Sequence, residues 1–134
     1  MPRNVGEKER EERLHRGLRE GVTLYNAGRF FEAHEVLEDV WLEEEGDDKI
    51  FLQGIIKIAA AFHHYGKGTY RGMRNLLQAG SQMLEPFRPA YRGVELADFL
   101  SQIETWIPRA MQLVEGEDPD PSDSIPSLVY RPPA

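Results

Sequence analysis

Every periodic segment of this chain repeats its apolar residues at the helical interval, and no stretch alternates apolar with polar as a half-buried strand would. Leu14, Leu18, Val22 and Tyr25 sit three or four residues apart, so a helix buries them along one stripe. The same reading predicts helices over 7–26, 29–45, 50–65, 69–85 and 94–115. Ala27-Gly28 ends the first and Gly46-Asp47-Asp48 the second, while Pro86 and Pro89 follow the fourth. Pro108 is expected to kink the fifth or divide it. A chain of 134 residues is long enough for one domain with a real core. The expected fold is all-α, a compact antiparallel array of about five helices.

An internal repeat at an offset of forty residues says how the helices pair. Tyr25-Asn26-Ala27-Gly28-Arg29-Phe30 aligns with Tyr65-Gly66-Lys67-Gly68-Thr69-Tyr70, and Leu37 with Leu77. Each copy reads as a helix, a glycine turn, and a second helix opening on an aromatic, which makes two helical hairpins. The first copy has weak tetratricopeptide-like spacing through Gly21, Leu24, Gly28, Phe30, Ala33, Leu37 and Val40. Two units fall short of a solenoid. The helical domain is expected to span 1–115. Beyond Gly116 the chain is rich in Pro, Asp and Ser, so 116–134 is expected to be an irregular tail anchored only through Ile125, Leu128, Val129 and Tyr130.

The second helix carries the unusual residues. Stepping about 100° per residue from Phe30, Val40, Ala33, Leu37, Phe30 and Trp41 fill one arc, and His34 and Glu38 fall between Trp41 and Phe31. Both are therefore expected to face the core, where a histidine and a carboxylate are costly unless paired, hydrogen-bonded or bound. Glu32, Glu35, Asp39 and Glu43 take the opposite, solvated face.

The third helix is apolar nearly all round, as a central helix should be, except for a stripe of Gln53, Lys57 and His64 bordered by Gly54, Ala60 and Ala61. His63 points elsewhere and reads as a core histidine satisfied by a carbonyl. Glu43-Glu44-Glu45 with Asp47-Asp48 lacks the ordered ligand alternation of a calcium loop and reads as a solvated helix end. Arg71, Arg74, Arg88 and Arg92 read as surface charge, and Trp106 as core or interface.

Composition narrows the function. The chain has no cysteine, which excludes disulfides, thiolate metal sites and cysteine catalysis. A formal charge of −7 argues against a general nucleic-acid or anionic-membrane binder. The longest apolar run, Gly54 to Phe62, is interrupted by Lys57 and too short to cross a bilayer. No signal peptide is recognisable at the start, so the expected location is cytoplasmic.

Phe30-Phe31-Glu32-Ala33-His34-Glu35-Val36-Leu37-Glu38-Asp39-Val40-Trp41, then Phe51-Leu52-Gln53-Gly54-Ile55-Ile56 and Ala59-Ala60-Ala61-Phe62-His63-His64, closely resemble the DUF309 family. Gly68, Gly72 and Leu76-Leu77 fit as well, and the likeness runs from about 14 to 85. It implies a small all-helical bacterial or archaeal protein of no established function. Its His-x-x-x-Glu-x-x-Trp motif maps onto His34, Glu38 and Trp41, with a suggested role in metal binding, and its glutamine and histidine map onto Gln53 and His64. Thr69 stands where the family often has asparagine.

Three readings of the site follow. A divalent metal would take His34, Glu38 and His64, since residues at i and i+4 share one helix face. A small polar ligand or a peptide end would use Trp41, Gln53 and Lys57 around the same pair. In the third, His34 and Glu38 form a buried structural network in a non-catalytic helical interaction module. Whether the protein is an enzyme is left undecided. Neither a nucleophile with a partner nor a phosphate-binding glycine loop is present, and His34 poised by Glu38 is the one acid–base candidate. The fifth helix leaves room for a homodimer.

Overall fold

The computed structural model describes residues 5–117 and 124–133. Helices α1 (Val5–Asn26), α2 (Phe30–Trp41), α3 (Gly46–Lys67), α4 (Tyr70–Leu84) and α5 (Ala97–Val114) carry the fold. A 3₁₀ turn, Glu85–Phe87, follows α4. Among the described residues, no helix is long and apolar enough to cross a membrane.

The sequence repeat is a repeat of backbone geometry. At the first hairpin, Gly28 N donates to Tyr25 O (3.0 Å) and Arg29 N to Leu24 O (2.9 Å); at the second, Gly68 N donates to Tyr65 O (3.2 Å) and Thr69 N to His64 O (3.0 Å). This pairing of bonds is the Schellman closure, which needs a residue in the left-handed region. Gly28 and Gly68 supply it at φ 80° and 76°. Gly68→Ala is expected to cost about 1–2 kcal/mol although nothing stands within 4 Å of the added carbon. Urea denaturation of the single variant measures it.

α3 packs against both α2 and α4, with α1 against α2 and α5 against α4. It buries Phe51, Leu52, Ile55, Ile58, Ala59, Ala61 and Phe62, as its all-round apolar pattern requires. Small residues bring α3 and α4 close: a carbon on Gly80 would lie 3.0 Å from Gly54 O. Trp106 is buried beside Phe62, with ring centroids 5.3 Å apart.

Several expected boundaries move. α2 stops at Trp41 rather than near Glu45, and Gly46-Asp47-Asp48, expected as a break, opens α3 instead. Asp47 and Asp48 thereby sit in a first turn, where the helix dipole favours carboxylates. α5 runs unbroken through Pro108. Its expected beginning, Val94–Glu95, is strand β2, paired antiparallel with β1 (Ala90–Tyr91) and with β3 (Val129–Tyr130). Arg92 and Gly93, at φ 50° and 84°, form the two-residue turn of this hairpin. Two-residue strands are too short to show alternation.

The expected irregular tail is partly ordered structure. Residues 118–123 and 134 lie outside the described residues. In 124–133, β3 adds to β2 and Leu128 is buried. Asn26 grips the Leu128 backbone from both sides, Nδ2 donating to its carbonyl and its N–H to Oδ1, each at 2.8 Å. Tyr25 Oη donates to Pro126 O at 2.8 Å.

Candidate functional site

α2 turns Ala33, Leu37 and Val40 inward, and this fixes where the motif residues go. Successive steps round the helix lead from buried Leu37 through half-buried Trp41 and His34 to exposed Glu38 and Phe31. His34 and Glu38 are thus not core-facing as expected. Their side chains are 28% and 48% exposed. The expectation counted Phe31 as the far edge of the apolar arc, but Phe31 is 51% exposed. Its ring is held between imidazoles instead, 5.9 Å from that of His34 and 5.2 Å from that of His63.

His34 Nε2 and Glu38 Oε2 pair at 3.1 Å across one helical turn. Trp41, a turn further on, closes α2, and Lys49 Nζ rests 4.3 Å from its ring centroid, a cation–π contact. From α3, Gln53, Ile56, Lys57 and Ala60 complete an open cleft of about 240 Å³, with Leu76 of α4 at its side. Five of the six residues proposed from the sequence meet there: His34, Glu38, Trp41, Gln53 and Lys57. Two ring nitrogens of the cleft, His34 Nδ1 and Trp41 Nε1, are shielded from solvent and have no hydrogen-bond partner among the described residues. Such groups carry a desolvation cost of about 1–3 kcal/mol each.

His64 does not join them. Its Nδ1 lies 2.6 Å from Thr69 Oγ1, and the Thr69 hydroxyl donates back to His64 O at 3.1 Å. That donation uses the only hydroxyl hydrogen, so Nδ1 must be the N–H in its own contact. Thr69 therefore turns the ring toward the α3–α4 junction, over Gly72. The expected metal set of His34, Glu38 and His64 is not assembled, and no group of three His, Cys, Asp or Glu suited to a metal occurs among the described residues. His63 is not a core histidine either, being half-buried against Phe31. Partial desolvation, then the charges of Lys67, His64 and His34, lower its pKa.

A second polar cluster escaped the sequence reading. Arg92 bonds Asp48 through Nε (2.9 Å) and Nη2 (2.8 Å) and reaches both oxygens of Glu11 from Nη1 at 2.9 Å. Tyr91 Oη donates to Asp48 Oδ1 at 2.5 Å. Burial and the neighbouring carboxylate push the Tyr91 hydroxyl up to about 12. Nearby, Arg10 Nε bonds Glu44 at 2.9 Å, and that carboxylate is 1% exposed. Glu44 and Asp48 therefore do not belong to a solvated helix end, nor Arg92 to a surface patch. The sequence signal was faint: Arg92-Gly93 marks a hairpin turn, but nothing local names Glu11 or Asp48 as partners.

A larger groove of about 590 Å³ borders this cluster, lined by Glu11, His15, Arg19, Arg92 and Arg131 among others. Four of its polar side chains, Glu11, His15, Arg92 and Arg131, are already bonded. Arg92 holds Glu11 and Asp48, Arg131 holds Glu95 at 2.6 Å, and His15 Nδ1 meets Tyr130 Oη at 2.7 Å. The smaller cleft is where shielded polar atoms, His34 Nδ1 and Trp41 Nε1, stand without a partner among the described residues.

Comparison with known proteins finds a family model that matches part of the chain, and a relative. The model of a domain of unknown function, DUF309, matches residues 18–76. An uncharacterized protein of Aquifex aeolicus (strain VF5) is 28% identical over 88 residues, 65% of this chain. The chain spans 26% of that relative's length.

Proposed function

We propose, with DUF309 as the family of residues 18–76, that the cleft between α2 and α3 binds a small polar organic molecule. The observation that carries this is the convergence of His34, Glu38, Trp41, Gln53 and Lys57 on one open cleft. Concave sites with an apolar lining and a few converging polar groups are where small ligands bind. Every lining residue, from His34 to Leu76, falls inside the stretch that matches the family. In this reading the site lies within the matched stretch and not at either end of the chain.

In this reading Trp41, Ile56 and Leu76 supply apolar surface, and Gln53, Lys57 and the His34–Glu38 pair supply direction. His34 and Glu38 also offer one nitrogen and one oxygen to a divalent ion, the remaining ligands coming from the bound molecule.

The test is a fragment screen read by amide NMR on wild type and on a His34→Ala/Glu38→Ala variant. Fragments should shift resonances around Trp41, Gln53 and Lys57 in wild type and lose that effect in the variant. The half-exposed pair contributes only about 0–1 kcal/mol, so the variant should stay folded with a nearly unchanged denaturation midpoint. Fragments that shift only other surfaces, or a double variant that unfolds, would overturn the reading. Elemental analysis of protein purified without chelator or affinity tag decides the metal arm: near-stoichiometric metal, lost in the variant, supports it.

A further inference from the structure

The cleft carries two opposite charges that do not neutralise each other. Glu38 stands on the α2 wall and Lys57 on the α3 wall of the same space of about 240 Å³. Glu38 reaches His34 through Oε2. Lys57 makes no hydrogen bond or ion pair with any described residue. Ile56, Ala60 and Leu76 line the same cleft and offer neither charge a partner.

Each class of ligand meets this arrangement differently. A simple anion gains Lys57 but faces the Glu38 carboxylate, and a simple cation faces the reverse. A neutral molecule displaces water from both charges and replaces it for neither, at a desolvation cost. A molecule with a carboxylate at one end and an ammonium at the other satisfies both walls at once. The space equals about eight waters at roughly 30 Å³ each, so the part of the ligand held between the walls has on the order of ten heavy atoms or fewer.

We infer that the cleft's ligand is a small zwitterion of the amino-acid class, its carboxylate on Lys57 beside the Gln53 amide and its ammonium on Glu38. This rests on the cleft being a ligand site at all. The Trp41 ring and the apolar lining then take the carbon body between the charges.

Calorimetric titration, with NMR to locate the binding, tests it with probes of matched size. The zwitterions glycine, β-alanine and 4-aminobutanoate vary the charge spacing, and propanoate, propylamine and propanamide each remove one charge or both. The best zwitterion should bind at least about tenfold tighter than propanoate or propylamine, the worth of one half-exposed charge contact. Glu38→Gln should reduce it to the level of the carboxylate, and Lys57→Met to the level of the amine. Both side chains are at least partly exposed, so both variants should fold. Propanoate binding as tightly as the zwitterions, with no effect of Glu38→Gln, overturns the inference in favour of an anion site. Propanamide alone shifting the cleft also overturns it but leaves the ligand-site reading standing. Silence from all six probes in a cleft that binds other fragments overturns the zwitterion alone, and silence from every fragment overturns both.

Discussion

Phe62→Ala is expected to lower the free energy of unfolding by about 3–5 kcal/mol, the largest effect of any single substitution considered for this fold. The ring is 1% exposed and three other aromatics meet it. Its centroid lies 5.3 Å from that of Trp106, 5.8 Å from Phe30 and 6.4 Å from Tyr25. Those partners come from α5, α2 and α1, so the cavity would open where four helices converge and where no one of them can shift to fill it. The Trp106 and Tyr25 contacts are edge-to-face, and such contacts add about 0.5–1.5 kcal/mol each beyond area burial. Urea denaturation measures the loss, and a thermal scan should show a fall of roughly 10–20 °C for a domain of this size. A change below about 1 kcal/mol would mean that the ring is not enclosed.

Arg92→Leu should come second, at about 2–3 kcal/mol at neutral pH. The substitution leaves two carboxylates, Glu11 and Asp48, facing an apolar side chain, and the Asp48 side chain is only 15% exposed. The value is set below that of a fully buried pair because solvent reaches Arg92 and Glu11, 28% and 26% exposed. Its pH dependence identifies the cause. Burial of Asp48 works against its ionised form, but the bonds from Arg92 and Tyr91 and the charge of Arg92 together outweigh it. The carboxyl is held below its ordinary 3.8. A carboxyl that binds its proton less readily folded than unfolded stabilises the fold above the unfolded value, and this is lost as pH falls through the native value. The gap between wild type and Arg92→Leu should therefore be widest near pH 7 and narrow at about pH 3 and below. A gap of equal size across that range would assign the loss to packing instead.

What could be read in advance follows the range of the forces involved. The two hairpins were legible because their determinants are local: helical periodicity, and a glycine at each Schellman turn. The grouping of His34, Glu38 and Trp41 was legible for the same reason, since i, i+4 and i+7 share a helix face. Gln53 and Lys57 followed from their stripe on the next helix. His64 shared that stripe and still turned away, because a hydrogen bond to Thr69 outranked its position on the wheel. The helix wheel puts His34 and Glu38 too deep because an apolar Phe31 suggests burial, and Phe31 is 51% exposed. Its neighbour across the interface is His63, at a half-open edge that no single-helix projection contains. Leu76 could not be placed beside the motif without knowing how α4 packs. The Arg92 cluster joins residues 11, 48 and 92, and the three-stranded sheet joins 94 to 130; both are settled by tertiary geometry alone.

The strand at 129–130 has a consequence for the order of assembly. Asn26 waits 102 residues along the chain for Leu128, and Tyr25 waits 101 for Pro126. Each glycine hairpin, by contrast, closes within a few residues of its turn. Closing a long loop costs entropy before any contact returns it, so contacts between neighbours in sequence lead and distant ones follow. The two hairpins should be largely formed in the folding transition state, and the grip of Asn26 on the Leu128 backbone should form after it. Weakening that grip would then leave the folding rate nearly unchanged and make the protein come apart faster. The segment that ends in β3 should thus act as a clasp, with little part in finding the fold and a large part in how long the fold lasts.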